Sequence, residues 1–198
     1  MGDRTRSSSG ATWATVLINQ MAFAGAGWWW AGRQGLSLTQ DLAPSVDAVA
    51  MGLAAAVGLY GAILLSRSLL PAVWRDLDAL VRKIYAESGL PLTWPAILLL
   101  GTAAGIGEEI LFRGALQGWL AQDWPIIAAV ALPSVLFALL HPYSLAYVAY
   151  AFVIGCLLGL LYVVTGSLLA VVIAHGFYDV LALAKLKRVV EEDAEASA

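Results

Sequence analysis

The sequence predicts an all-α fold: a polytopic transmembrane helical bundle of about six spanning helices with an amphipathic cytoplasmic connector. Three observations carry the expectation. Apolar residues make up 61% of the 198 residues and charged residues only 13%, about half the usual charged share of a soluble domain. The apolar residues gather into segments near the roughly 17–25 residues that a spanning helix requires. Basic residues and tryptophans cluster at the ends of those segments, as bilayer interfaces favour.

The segments are 11–31, 46–69, 94–121, 125–140, 145–164 and 168–184. The first holds Asn19 and Gln20 and runs on through Trp28, Trp29 and Trp30, so it reads as a retained anchor helix. Arg4, Arg6 and the triplet Ala22-Phe23-Ala24 otherwise resemble a cleaved signal peptide. Met1-Gly2 lacks the Ser or Thr that a myristoylation signal places at position 6, where Arg6 stands. The third segment is long and carries charges at its centre. The fourth is short, and the sixth must tolerate a His and an Asp. With the N-terminus inside, six crossings put both termini in the cytoplasm, together with Arg67, Arg75, Arg82, Lys83, Lys185, Lys187 and Arg188. Arg33 then faces outward and Arg113 lies within the membrane. The tryptophans, from Trp13 through Trp74, Trp94, Trp119 and Trp124, fall near predicted ends or in a loop.

The whole chain, 1–198, reads as one integral-membrane domain of the cell membrane. Within it, 71–90 is the connector. There Trp74, Leu77, Leu80, Val81 and Ile84 recur at helical spacing among Arg75, Asp76, Asp78, Arg82 and Lys83, the pattern of a helix lying on a membrane surface. The acidic stretch 189–198 reads as a disordered tail. The lone Cys156 excludes an internal disulfide and a Cys-rich zinc site, and its apolar neighbours make it a packed thiol. Nothing in the charge pattern suggests a nucleic-acid partner.

The ionisable residues left inside the spans are Glu108, Glu109, Arg113, His141, His175 and Asp179. A charge at the bilayer centre costs about 2.5–3.5 kcal/mol or more, so each needs a partner or a task. Glu109 and Arg113 stand four apart on one helix face and can pair. Glu108 is rotated about 100° away and needs other partners. Phe137 and His141 are four apart, as are His175 and Asp179, where a carboxylate can fix the tautomer of an imidazole. Pro142 pushes His141 out of helical geometry, to a helix end that must line protein or a water cavity. Glycines 101, 105, 107, 114 and 118 permit close helix contact or water entry beside the carboxylates. Singly, each pair also reads as a satisfied structural contact. Together they point to one buried polar site made of Glu108, His141, His175 and Asp179, supported by Glu109, Arg113 and Phe137.

Counted inward from the cytoplasmic ends, His141, His175 and Glu108 lie at about 5, 14 and 20 Å for straight helices. A common site therefore calls for a late start to the third segment or a kink near Gly101.

Glu108-Glu109-x-x-x-Arg113, Phe137-x-x-x-His141 and His175-x-x-x-Asp179, in that order and on separate spans, resemble the three motifs of the CAAX-protease and bacteriocin-processing (CPBP, or ABI) family. That family includes the type II CAAX prenyl endopeptidases. The resemblance covers 95–184 and implies an intramembrane endopeptidase acting on a membrane-associated protein or peptide, prenylated or leader-bearing. It further implies that Glu108 with His141 activates water as general base, and that His175 with Asp179 stabilises the oxyanion. No cofactor is favoured. A zinc alternative would take His141, His175 and Glu108 or Asp179 as ligands and leave an open position. Outside the enzyme class, a non-catalytic membrane scaffold or immunity protein could use the same fold.

Overall fold

A computed structural model describes residues 4–90 and 92–196, with side chains from residue 14 onward apart from those of 194 and 196. The expectations about Met1-Gly2 and about the side chains of Arg4, Arg6 and Trp13 lie outside that description. Helix α1 spans Arg4–Arg33, a short α2 spans Leu38–Asp41, α3 spans Val46–Leu69 and α4 spans Pro71–Ser88. Helix α5, Trp94–Glu109, passes without interruption into a π-helical stretch, Ile110–Gln117, and then into α6, Gly118–Leu120. Helices α7 (Ile126–Leu139), α8 (Leu145–Thr165) and α9 (Leu168–Ala196) complete the bundle.

Local sequence explains most of these boundaries. Ser45 and Ser144 cap α3 and α8, their hydroxyls accepting from the backbone N–H of Ala48 (3.0 Å) and Tyr147 (3.1 Å). Pro71 starts α4, where its missing N–H costs nothing. Gly89 and Gly166, at φ of 65° and 61°, end α4 and α8 in the left-handed conformation that favours glycine. Pro133 lies inside α7, and next to it the Ser134 hydroxyl donates back to the Val130 carbonyl at 2.7 Å.

The result is an all-α polytopic bundle. Among the described residues, four helices are long and apolar enough to cross a membrane: Val46–Leu69, Trp94–Leu120, Leu145–Thr165 and Leu168–Asp193. Of the six segments drawn from the sequence, two fall short of those criteria. α1 has the length, at 30 residues, but Asn19, Gln20, the glycines and three tryptophans dilute it. α7 is apolar but only 14 residues long, about 21 Å at 1.5 Å per residue. In the four long helices no more than 50% of each apolar window is buried inside the bundle. Val57, Leu65, Val153 and Val164 all face outward, the surface a bilayer covers and water would penalise.

α5 and α9 form the central crossing. A Cβ on Gly105 would sit 2.7 Å from the Val172 carbonyl and 2.8 Å from the Gly176 nitrogen, so only glycine lets the two backbones meet there. α1 packs on the other side of α5, where Gly107 lies directly against the backbone and amide of Gln20. α4 is tied to its neighbours through its first half and middle. Arg67 at the end of α3 holds Asp78 (2.5 Å), Trp74 Nε1 donates to Ser66 (3.0 Å), and Arg82 pairs with Asp193 of α9. The stretch 189–198, expected as a disordered tail, instead continues α9 as helix as far as Ala196. The Lys187–Glu191 pair, four residues apart, and the Arg82–Asp193 contact give that turn local and tertiary support.

Candidate active site

The fully buried Glu109–Arg113 pair anchors the site. Arg113 Nη1 donates to Glu109 Oε1 at 2.8 Å, as the four-residue spacing anticipates, and neither side chain is exposed. Arg113 Nη2 donates to the Gly155 carbonyl of α8 at 2.8 Å, and one turn on, Gln117 Nε2 donates to the Gly159 carbonyl at 2.9 Å. The π-helical stretch thus carries two polar side chains that bind it to α8 through carbonyls left accessible by glycine. Arg113 also lies over the Phe137 ring at 5.0 Å, a cation–π contact.

Glu109 does more than neutralise Arg113. The same Oε1 accepts from Nδ1 of His175 at 2.6 Å. A carboxylate can only accept, so Nδ1 carries the proton and Nε2 is turned towards the cavity. The sequence had given that orienting task to Asp179. Instead, Asp179 Oδ2 lies 3.5 Å from Nε2, and Glu108 Oε2 lies 4.0 Å from the same nitrogen. The reason is the close α5–α9 crossing, which puts Glu109 on the imidazole's far edge, a contact no spacing within one helix can reveal.

His141 lies two residues past the end of α7, off the helix as Pro142 requires. Its Nδ1 donates to the Phe137 carbonyl at 2.9 Å, which leaves Nε2 open. No hydrogen bond or ion pair joins it to the other three residues among those described. It shares the site through Phe137, whose ring centroid is 5.0 Å from His141 and 6.0 Å from His175. On its other side His141 stacks on Tyr147.

Glu108, His141, His175 and Asp179 all line one cavity of about 350 Å³, together with Tyr147 and Tyr150. Of the two ways to a common site, a late start of the third segment does not occur, since α5 opens at Trp94. Farther out, the walls are Tyr60, Ile63 and Leu64 of α3 and Leu186 and Val189 of α9. Trp74, Asp78 and Arg82 of α4 also line the cavity. Among the described residues no group of three or more His, Cys, Asp or Glu side chains is placed to hold a metal ion. Both Nδ1 atoms are committed, to Glu109 and to the Phe137 carbonyl, so the Nε2 atoms are the ring nitrogens that remain free.

One contact was missed altogether. Gln20 of α1 donates from Nε2 to Glu108 Oε1 at 2.8 Å. The polar residues Asn19 and Gln20 interrupting an apolar helix were the only signal for it.

A profile of the family described as Type II CAAX prenyl endopeptidase Rce1-like matches residues 90–181. No curated protein and no solved structure matches the chain. The matched stretch holds Glu108, Glu109, Arg113, Phe137, His141, His175 and Asp179, and over residues 90–181 the chain is similar to the type II CAAX prenyl endopeptidase Rce1-like family.

Proposed function

We propose that this protein hydrolyses a peptide bond of a membrane-associated peptide in the cavity between α5, α7, α8 and α9, with Glu108 as general base. The family match over residues 90–181 supports an intramembrane endopeptidase of this general type. The observation that carries the residue assignment is the approach of Glu108 Oε2 and Asp179 Oδ2, at 4.0 and 3.5 Å, to one imidazole nitrogen of His175 at the cavity wall. A gap of 4.0 Å is what a single water hydrogen-bonded to both groups spans. Glu108 takes a proton from that water as oxygen attacks the scissile carbonyl, and later returns it to the leaving amine. His141, with its Nε2 open, orients the water from the opposite side.

The oxyanion needs a donor. As an imidazolium, His175 keeps Nδ1–H hydrogen-bonded to Glu109 and presents Nε2–H to the developing negative charge. Asp179 Oδ2, 3.5 Å from that nitrogen, balances the imidazolium charge rather than orienting the ring, and so has no need to donate itself. Arg113 keeps the extra negative charge of Glu109 tolerable in an apolar surrounding.

The membrane arrangement that suits this chemistry has six crossings, α1 and the short α7 included, with both termini cytoplasmic. The basic residues at the α3–α4 junction and in the C-terminal half of α9 support it. The family description speaks of prenyl endopeptidases, and we assign a lipid-modified peptide as substrate, its chain beside Glu108 and its lipid along the apolar outer walls.

The test is cleavage of a farnesylated, internally quenched peptide ending in a CAAX sequence, beside its unprenylated twin and a leader-bearing transmembrane peptide. Glu108→Ala and His175→Ala should each lower kcat by about 10²–10⁴-fold. Cleavage by both variants at the wild-type rate would refute the assignment. Equal turnover of the prenylated and unprenylated peptides would refute the lipid specificity alone.

A further inference from the structure

We infer that Gln20, on the first helix and outside the family-matched region, is the residue that positions the Glu108 carboxylate for catalysis. The inference rests on Glu108 being the base. It adds a component supplied by a part of the chain that carries none of the three motifs.

The geometry divides the two carboxylate oxygens between two tasks. Oε1 accepts from Gln20 Nε2 at 2.8 Å, while Oε2 faces His175 Nε2 at 4.0 Å across the cavity wall. Without the first contact the Glu108 side chain has no hydrogen bond to fix its torsions among the described residues. A general base must hold its oxygen within hydrogen-bond reach of one water. The amide orientation follows from the same chemistry, because an ionised carboxylate accepts only and the NH₂ of Gln20 must face it.

The surroundings show that α1 is brought to this place. Gly107, next to Glu108 in the chain, stands where a Cβ would fall 2.6 Å from the Gln20 carbonyl and 2.4 Å from its side-chain oxygen. α1 is thus seated against α5 at the one level where an amide can reach Glu108. Gln20 Oε1 is itself buried with no hydrogen-bond partner among the described residues, a cost that a purely structural Gln has no reason to carry and a Leu or Met would avoid. One turn below, Phe23 packs edge-on against Phe112 (6.4 Å) and fixes the rotation of α1 that aims Gln20 inward.

Two variants test this. Gln20→Met keeps length and volume and deletes the donor; Gln20→Asn keeps a donor but sets it back by one methylene. With the farnesylated CAAX peptide as probe, Gln20→Met should lower kcat about ten- to a hundredfold, with KM within about twofold of wild type and an unchanged melting temperature. Gln20→Asn should fall between Gln20→Met and wild type. A wild-type kcat in Gln20→Met, or a fall in kcat matched by a fall in melting temperature, would overturn the inference. If Gln20→Met does not fold, Gln20→Asn decides: a lowered kcat at constant KM supports positioning, and a wild-type kcat overturns it. Glu108→Gln, measured alongside, separates the two readings. Activity retained in Glu108→Gln removes the base itself; activity lost there but intact in Gln20→Met removes only the role of Gln20.

Discussion

Replacing Arg113 by Met probes the charge balance beneath the site. Arg113 and Glu109 are both completely buried and joined at 2.8 Å, and Arg113 makes a second 2.8 Å bond to the Gly155 carbonyl. Methionine fills most of the volume but leaves Glu109 without its cation, with His175 as its remaining partner, and leaves the Gly155 carbonyl without this donor. Breaking a buried pair from one side costs about 3–5 kcal/mol, because the surviving charge stays desolvated. For a chain of this length the melting midpoint should drop by on the order of 10 °C. The assay is thermal unfolding in detergent followed with a thiol-reactive dye. Cys156 is the sole thiol and adjoins Gly155, so it reports on the helix that Arg113 releases. The double variant Glu109→Gln/Arg113→Met removes both charges and should recover part of the loss. A wild-type midpoint for Arg113→Met, or a double variant no more stable than the single, would refute the argument that the pair is held by mutual neutralisation.

Gly105→Val should abolish cleavage of the CAAX peptide. Its Cβ would come within 2.7–2.9 Å of the Val172 and Gly176 backbone, and α9 would have to move away from Glu109, taking His175 with it; wild-type activity in a folded Gly105→Val protein would contradict the close crossing. Phe137→Ala should destabilise the protein by about 3–5 kcal/mol and lower kcat as well, since the ring separates and aligns both imidazoles. Phe137→Leu, which refills much of the cavity, should recover stability in the same melt while kcat stays low.

Features within one helix turn were readable from the sequence. Glu109 and Arg113 pair because four residues bring side chains onto one helix face, and the chain does this even where the helix widens into its π-helical stretch. Pro142 ends α7 before His141 because proline constrains its neighbour directly. Other features depend on which helices touch. The amide of Gln20 reaches Glu108 across 88 residues of sequence, and Nδ1 of His175 reaches Glu109 across 66. No periodicity encodes either contact; the glycines at 105 and 107 permit the approach without naming the partner. The π-helical stretch was equally hidden, because Ile110–Gln117 has the composition of an ordinary apolar helix. At two segments composition alone leaves the crossing open. α1 and α7 were drawn as spans from their apolar residues, but one carries too many polar and aromatic interruptions and the other is too short to meet the criteria by itself.

α4 changes how a substrate would be counted. The cavity opens between helices with apolar outer faces, and α4 contributes to its wall, held to α3 by Arg67–Asp78 and, one turn on, to α9 by Arg82–Asp193. A peptide tethered to the bilayer is confined to a thin layer next to that opening, which raises its effective concentration far above its bulk value. The relevant quantity is then its mole fraction in lipid rather than its molarity. Diluting the protein's membrane with inert phospholipid at constant total peptide would slow turnover, while diluting the same vesicles with buffer would not.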